Sequence, residues 1–203
     1  MFPYLSQDIQ NELAQLSQLY NQPLVRTVNL GQTNQFDPLS RTDRYGEVCM
    51  VVRRPNGLLL TMLKTFYPRE AYRLPTGGIN HGEPIADALL RETLEETGLD
   101  IEVRQFLAAV AYTTATTGDQ PVFYTFAFLL DEVGGKLGPL DLSERVESFR
   151  FIVPTALPDL AERLSHLDQH YDSQITGDWH DWGLFRAVIH EIVWEALQAA
   201  RAQ

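Results

Sequence analysis

Cysteine is nearly missing from this chain. Cys49 is the only one in 203 residues, so no disulfide can form within it. That usage points to a reducing, cytoplasmic compartment. Cys49 stands in a strand-like apolar run and reads as a small buried residue rather than a reactive thiol. No apolar run is long enough to span a membrane, and MFPYLSQDIQNELAQL lacks the layout of a signal peptide. Positive charge is also scarce: 16 Lys and Arg stand against 27 Asp and Glu, a net charge of −11. This argues against non-specific binding to nucleic-acid backbones, which needs clustered Lys and Arg. Internal repeats and low-complexity tracts are lacking too, which excludes a solenoid.

What is present suits one globular domain: 44% apolar and 21% charged residues over a length that supports a single core. Residues 1–20 read as an amphipathic helix, with Leu5, Ile9, Leu13, Leu16 and Leu19 at helical spacing. Residues 21–43 are polar and irregular, with a short strand at Leu24–Leu30. YGEVCMVVRR and GLLLTMLKTF read as a hairpin turning at Pro55-Asn56-Gly57. VRQFLAAVAYTT, PVFYTFAFLLD and RVESFRFIVP read as further strands, with Phe123, Tyr124, Phe126 and Phe128 facing the core. ALPDLAERLSHL and the long segment from Trp179 read as helices, the last one for packing or oligomerisation. Strands interrupted by one central helix and closed by another suit an α/β/α sandwich.

The central helix lies in LPTGGINHGEPIADALLRETLEETGL, residues 74–99, which reads as a loop, a helix and a stop. Gly77, Gly78 and Gly82 let the loop approach a ligand closely. Pro84 suits a first turn, and Gly98 suits the left-handed position that ends a helix. On a helical wheel Ala86, Leu89, Leu90, Thr93, Leu94 and Thr97 form the face expected to pack. Glu92, Glu95 and Glu96 gather on the opposite side, where like charges repel. Three converging carboxylates beside a glycine-rich loop ask for a cation, and hard oxygen ligands select Mg²⁺ or Mn²⁺ over zinc. A solvated acidic face is the plainer alternative.

The full spacing decides between them. Gly77, five residues, Glu83, seven residues, then Arg91-Glu92-Thr93-Leu94-Glu95-Glu96-Thr97-Gly98-Leu99 resembles the Nudix box, G-x5-E-x7-R-E-U-x-E-E-x-G-U with U apolar. Thr93 stands where an aliphatic residue is usual, Thr76 where a further glycine is frequent, and Asn80 where Glu is common; none of these removes a carboxylate.

The resemblance implies a Nudix-like α/β/α sandwich with a mixed sheet and helical extensions at both ends. Its division would be residues 1–43, a helical and irregular extension, residues 44–160, the Nudix domain, and residues 161–203, a C-terminal helical extension packed on that domain. It implies hydrolysis of a diphosphate linkage with Mg²⁺ or Mn²⁺. The substrate would be a small nucleoside diphosphate derivative: a nucleotide sugar, ADP-ribose, a dinucleotide polyphosphate or an NTP. Carried over by position, Glu92, Glu95 and Glu96 hold metal with the Gly77 carbonyl, Arg91 orients the carboxylates, and Glu83 fixes the loop or reaches the metal through water. The base would be one of the box glutamates or a glutamate of a later loop, Glu147 or Glu144, with Asp119 and Asp141 behind them. Arg69, Tyr72, Arg73, Gly78 and His81 are the candidate substrate contacts. The histidines lack a third ligand in zinc spacing and read as packed or solvated. A catalytically silent nucleotide-binding or sensor module is the alternative. Isopentenyl diphosphate isomerase, on the same fold, would need a catalytic cysteine, which the setting of Cys49 does not suit. The resemblance also allows a homodimer.

Overall fold

A computed structural model describes residues 2–32 and 36–201. The chain begins with α1 (Gln7–Leu19), whose first turn is capped by the Ser6 side chain accepting from the Ile9 amide. Then come β1 (Leu24–Asn29), β2 (Arg44–Arg53), β3 (Leu59–Lys64), β4 (Thr76–Asn80) and α2 (Ile85–Thr97). β5 (Leu99–Thr113), β6 (Phe123–Gly135) and β7 (Val146–Ile152) complete the main sheet. α3 (Leu157–Ser165), a small hairpin of β8 (Tyr171–Asp172) and β9 (Gly177–Asp178), and α4 (Trp179–Arg201) follow.

The sheet runs β1-β5-β6-β2-β3-β7, with β4 as a second partner of β2. β1 lies parallel to β5, and β2 lies parallel to β6. β2 changes partner along its other edge. Its first half pairs with β4, and its last residue, Arg53, pairs with Leu59 of β3. Its apolar run is buried on both faces, as expected of a central strand. Val48, Met50 and Val52 face one core with α1 and α2; Cys49 and Val51 face the other with α3 and α4. The four aromatics of β6 are all buried. The result is a helix–sheet–helix sandwich with a mixed sheet.

Two expectations need correction. Residues 76–80 form a strand rather than a loop. The packing face of α2 is also rotated from the hydrophobic wheel: Leu90 and Leu94 are 51% and 46% exposed, whereas Glu92 and Glu96 are buried with Ala88, Leu89, Thr93 and Thr97. Glycine makes this possible. A Cβ on Gly77 would lie 2.1 Å from Glu92 Cγ, so only a bare backbone lets the acidic side of α2 press against β4. Neither the β8–β9 hairpin nor the depth to which α4 enters the core was anticipated. Trp182, Phe185 and Ile189 of α4 are each about 1% exposed.

Candidate active site

α2 and the short 3-10 turn Leu142–Glu144 bring carboxylates together, and β3 adds Lys64 beside them. Ligand oxygens of Glu92, Glu95 and Glu144 all lie within 4.8 Å of one another. Arg91 braces this group from outside. It forks onto Glu83 at 2.7 and 2.9 Å and donates to Glu92 at 2.7 Å, Glu95 at 3.0 Å and the Gly78 carbonyl at 3.0 Å. Glu83 in turn accepts from the Asn80 amide at 3.0 Å, tying loop to helix. Its Arg91 partner holds the Glu83 carboxyl below the usual range. Glu92 is pushed up instead, because burial outweighs Arg91.

Glu96 is fully buried at the inner end of the cluster. Lys64 Nζ lies 2.9 Å from Glu96 Oε1 and 2.7 Å from Glu144 Oε2. The Glu96 contact is an ion pair without hydrogen-bond geometry, and neither Glu96 oxygen has a hydrogen-bond partner. Burial pushes the Glu96 carboxyl up to about 7, against the pull of Lys64 and Arg73. Burial also works against Glu144, but Lys64 wins and holds it below its ordinary value. Lys64 rises to about 12, since its two acids outweigh its own desolvation.

Beside the carboxylates a cleft of about 270 Å³ opens, lined by Arg41, Arg44, Lys64, Arg73, Arg145 and Arg186 together with Asp37, Glu47 and Glu144. A protein with net charge −11 thus gathers six cations in one hollow. Arg186 reaches in from α4 and donates to Glu47 of β2 at 2.6 Å; both are nearly fully buried, and Thr125 donates to the same carboxylate at 3.1 Å. One turn later His190 Nε2 accepts the Leu74 amide at 2.9 Å, while Nδ1–H donates to the Arg186 carbonyl. Burial depresses this imidazole to about 4. α4 therefore pins the chain just before β4.

Of the residues singled out from sequence, Glu92, Glu95, Arg91 and Glu144 come together, and Glu96 joins through Lys64. Arg73 lines the cleft, its guanidinium donating to the Tyr67 hydroxyl, the Leu74 carbonyl and Thr76. Gly78 also lines it, but the Arg44 side chain lies where its Cβ would stand. The others fall elsewhere. Glu147 and Arg69 are exposed and line no part of this cleft. The Tyr72 ring is buried under Arg150, its hydroxyl bonded to Ser148. His81 is exposed, with Nε2 3.0 Å from the Thr42 carbonyl. Cys49 is fully buried and its thiol is pushed up by burial.

Arg44, Glu47, Lys64, Arg145 and Arg186 escaped the sequence reading. Two carried a visible signal: Glu47 abuts the apolar run of β2 at residues 48–52, and Arg186 lies on the apolar side of α4, four residues before His190. Buried charges of that kind must find one another.

The fold is thus a mixed-sheet α/β/α sandwich whose central helix presents braced carboxylates beside a cationic cleft. The model of the NUDIX domain matches residues 44–171, and the chain belongs to that family. It is 34% identical over 89 residues to Nudix hydrolase 2 of Arabidopsis thaliana, covering 43% of this chain and 32% of that one. It is 29% identical over 99 residues to ADP-ribose pyrophosphatase of Methanocaldococcus jannaschii, covering 49% and 57%. This chain thus spans between a third and just over half of the length of these curated relatives. Among solved structures, an Ap4A hydrolase of C. elegans in a binary complex superposes with a TM-score of 0.50 at 14% identity, covering 78% of this chain and 98% of that one. That likeness is one of fold.

Proposed function

We propose that the chain is a Nudix-type pyrophosphohydrolase, cleaving a diphosphate linkage in a small nucleoside diphosphate derivative with Mg²⁺ or Mn²⁺. The observation that carries this is the convergence of Glu92, Glu95 and Glu144 at a cationic cleft. The donor set fits a hard divalent cation: all ligands are carboxylate oxygens, and buried Glu96 has two oxygens without hydrogen bonds. Glu92, Glu95 and Glu144 would hold the ion, with Glu96 at the inner end and the Gly77 backbone alongside. Such an ion, when bound, neutralises phosphoryl oxygens and lowers the pKa of water. Arg91 fixes the direction of the carboxylates through its charge-assisted bonds. Arg73, on the inner wall of the cleft, holds the diphosphate in place. Residues before 44, such as Arg41, and after 160, such as Arg186, also line the cleft and belong to this reading of the site.

The test is turnover of nucleotide sugars, ADP-ribose, dinucleotide polyphosphates and NTPs with Mg²⁺ or Mn²⁺, with products identified. Turnover that vanishes on chelation is the expected result. A folded chain that binds Mn²⁺ and turns over none of them would overturn the proposal in favour of a silent binding module. No helix of the described residues is long and apolar enough to cross a membrane, and the lone buried thiol suits a cytoplasmic protein. A homodimer is part of this reading, and sedimentation tests it.

A further inference from the structure

The cleft holds more positive charge than its own acids answer. Lys64 faces Glu96 and Glu144, Arg186 faces Glu47, and Arg41 faces Asp37 and Asp43. Arg44 faces Asp43, and Arg73, which makes no ion pair, still pulls on Glu96. Arg145 makes no ion pair among the described residues. Arg73, 2% exposed, is bonded only to neutral oxygens, and Arg145 only to Gln174 Oε1 at 2.8 Å and the Phe66 ring at 4.0 Å. A second observation concerns aromatics. A nucleobase needs a free ring face to stack on. Arg145 covers Phe66, Tyr67 packs edgewise against Phe66, Trp179 and Trp182, and Trp182 is 1% exposed. The aromatic rings at the cleft are thus covered by Arg145 or packed against one another. A third concerns backbone: Arg145 is held at φ 52, a strained setting for a non-glycine residue, directly after Glu144 of the carboxylate group.

Resting on the pyrophosphohydrolase reading, we propose that the outer part of the cleft is a second anion subsite built on Arg145. It takes a phosphoryl group beyond the two that flank the cleaved bond. The preferred substrate class is then a nucleoside compound with three or more phosphates in a row, such as an NTP or a dinucleoside polyphosphate. Two-phosphate compounds such as ADP-ribose or a nucleotide sugar leave Arg145 unused.

The experiment titrates the full chain, free of divalent metal, with inorganic pyrophosphate and with inorganic tripolyphosphate by calorimetry. The native protein is expected to bind tripolyphosphate about tenfold more tightly, the size of one charge-assisted bond. Arg145→Asn removes the charge while tolerating the left-handed backbone, and should erase that preference while leaving pyrophosphate within twofold. Arg145→Lys should restore part of it. In turnover with Mg²⁺, kcat/KM for ATP relative to ADP-ribose should fall by the same factor in Arg145→Asn. Equal binding of the two anions by the native protein, or an equal loss of both in the variant, overturns the subsite. A chain that prefers tripolyphosphate yet hydrolyses nothing overturns the hydrolase reading and leaves the subsite standing.

Discussion

The cleft has two walls of different origin. The acidic wall is local: Glu92, Glu95 and Glu96 lie within two turns of α2, and Arg91 and Glu83 brace them from the same stretch. The cationic wall is assembled at long range, from Arg44 on β2, Lys64 on β3, Arg145 before β7 and Arg186 on α4. A local wall is positioned by helix geometry, since residues three and four apart share a face. A dispersed wall is positioned only by the packing of the whole sandwich. The first should therefore fail chemically when altered, and the second should fail first in stability.

The largest expected effect lies on the acidic wall. Glu96→Gln should lower kcat at least about a hundredfold with an unchanged thermal melt, whereas exposed Glu147→Gln should stay within about twofold. Retained turnover in Glu96→Gln would show that the carboxylates do not carry the chemistry.

On the other wall, Glu47→Gln strands the buried Arg186 guanidinium and should cost about 3–5 kcal/mol in urea unfolding. Asp131→Asn, which breaks the half-exposed pair with Arg53, should cost about 1 kcal/mol or less. Equal costs would remove the distinction between buried and surface pairs.

His190 makes the dispersed wall sensitive to acid. Its folded value of about 4 lies below the ordinary 6.5, so the folded state takes up the proton less readily than the unfolded chain. The stabilisation is complete above pH 6.5 and is lost as pH falls toward 4, about 3 kcal/mol in all. Thermal melts from pH 7.5 to 4 should show this slope, and His190→Gln should flatten it. A slope unchanged in the variant would assign the acid loss to other groups.

A last effect joins the two walls. Lys64 stands between Glu96 and Glu144, so Lys64→Met removes a cation from the place where another would bind. Mn²⁺ affinity, read by calorimetry, should rise about tenfold. Unchanged affinity would mean that Lys64 swings clear at no cost.

Legibility followed the same division. The carboxylates, Arg91 and the stop at Gly98 could be read directly, because their contacts are a few residues apart. The hairpin of β2 and β3 and the buried aromatics of β6 were legible from periodicity. The rotation of α2 was not, because hydrophobicity ranks Leu90 and Leu94 as core whereas a glycine strand beside the helix admits Glu92 instead. The α4 helix was legible as a packing element, and Arg186 on its apolar side signalled a buried charge, but not that its partner is Glu47, 139 residues away.

The amino-acid sequence by itself determined that carboxylates group on one helix beside a glycine-rich stretch, since i to i+4 spacing and glycine stereochemistry act locally; the Nudix sandwich was legible only through resemblance to the box. Tertiary structure alone decided which charges share a cleft. Ion pairing there depends on distances through space, set by the order of strands in the sheet and by the descent of α4 onto its face.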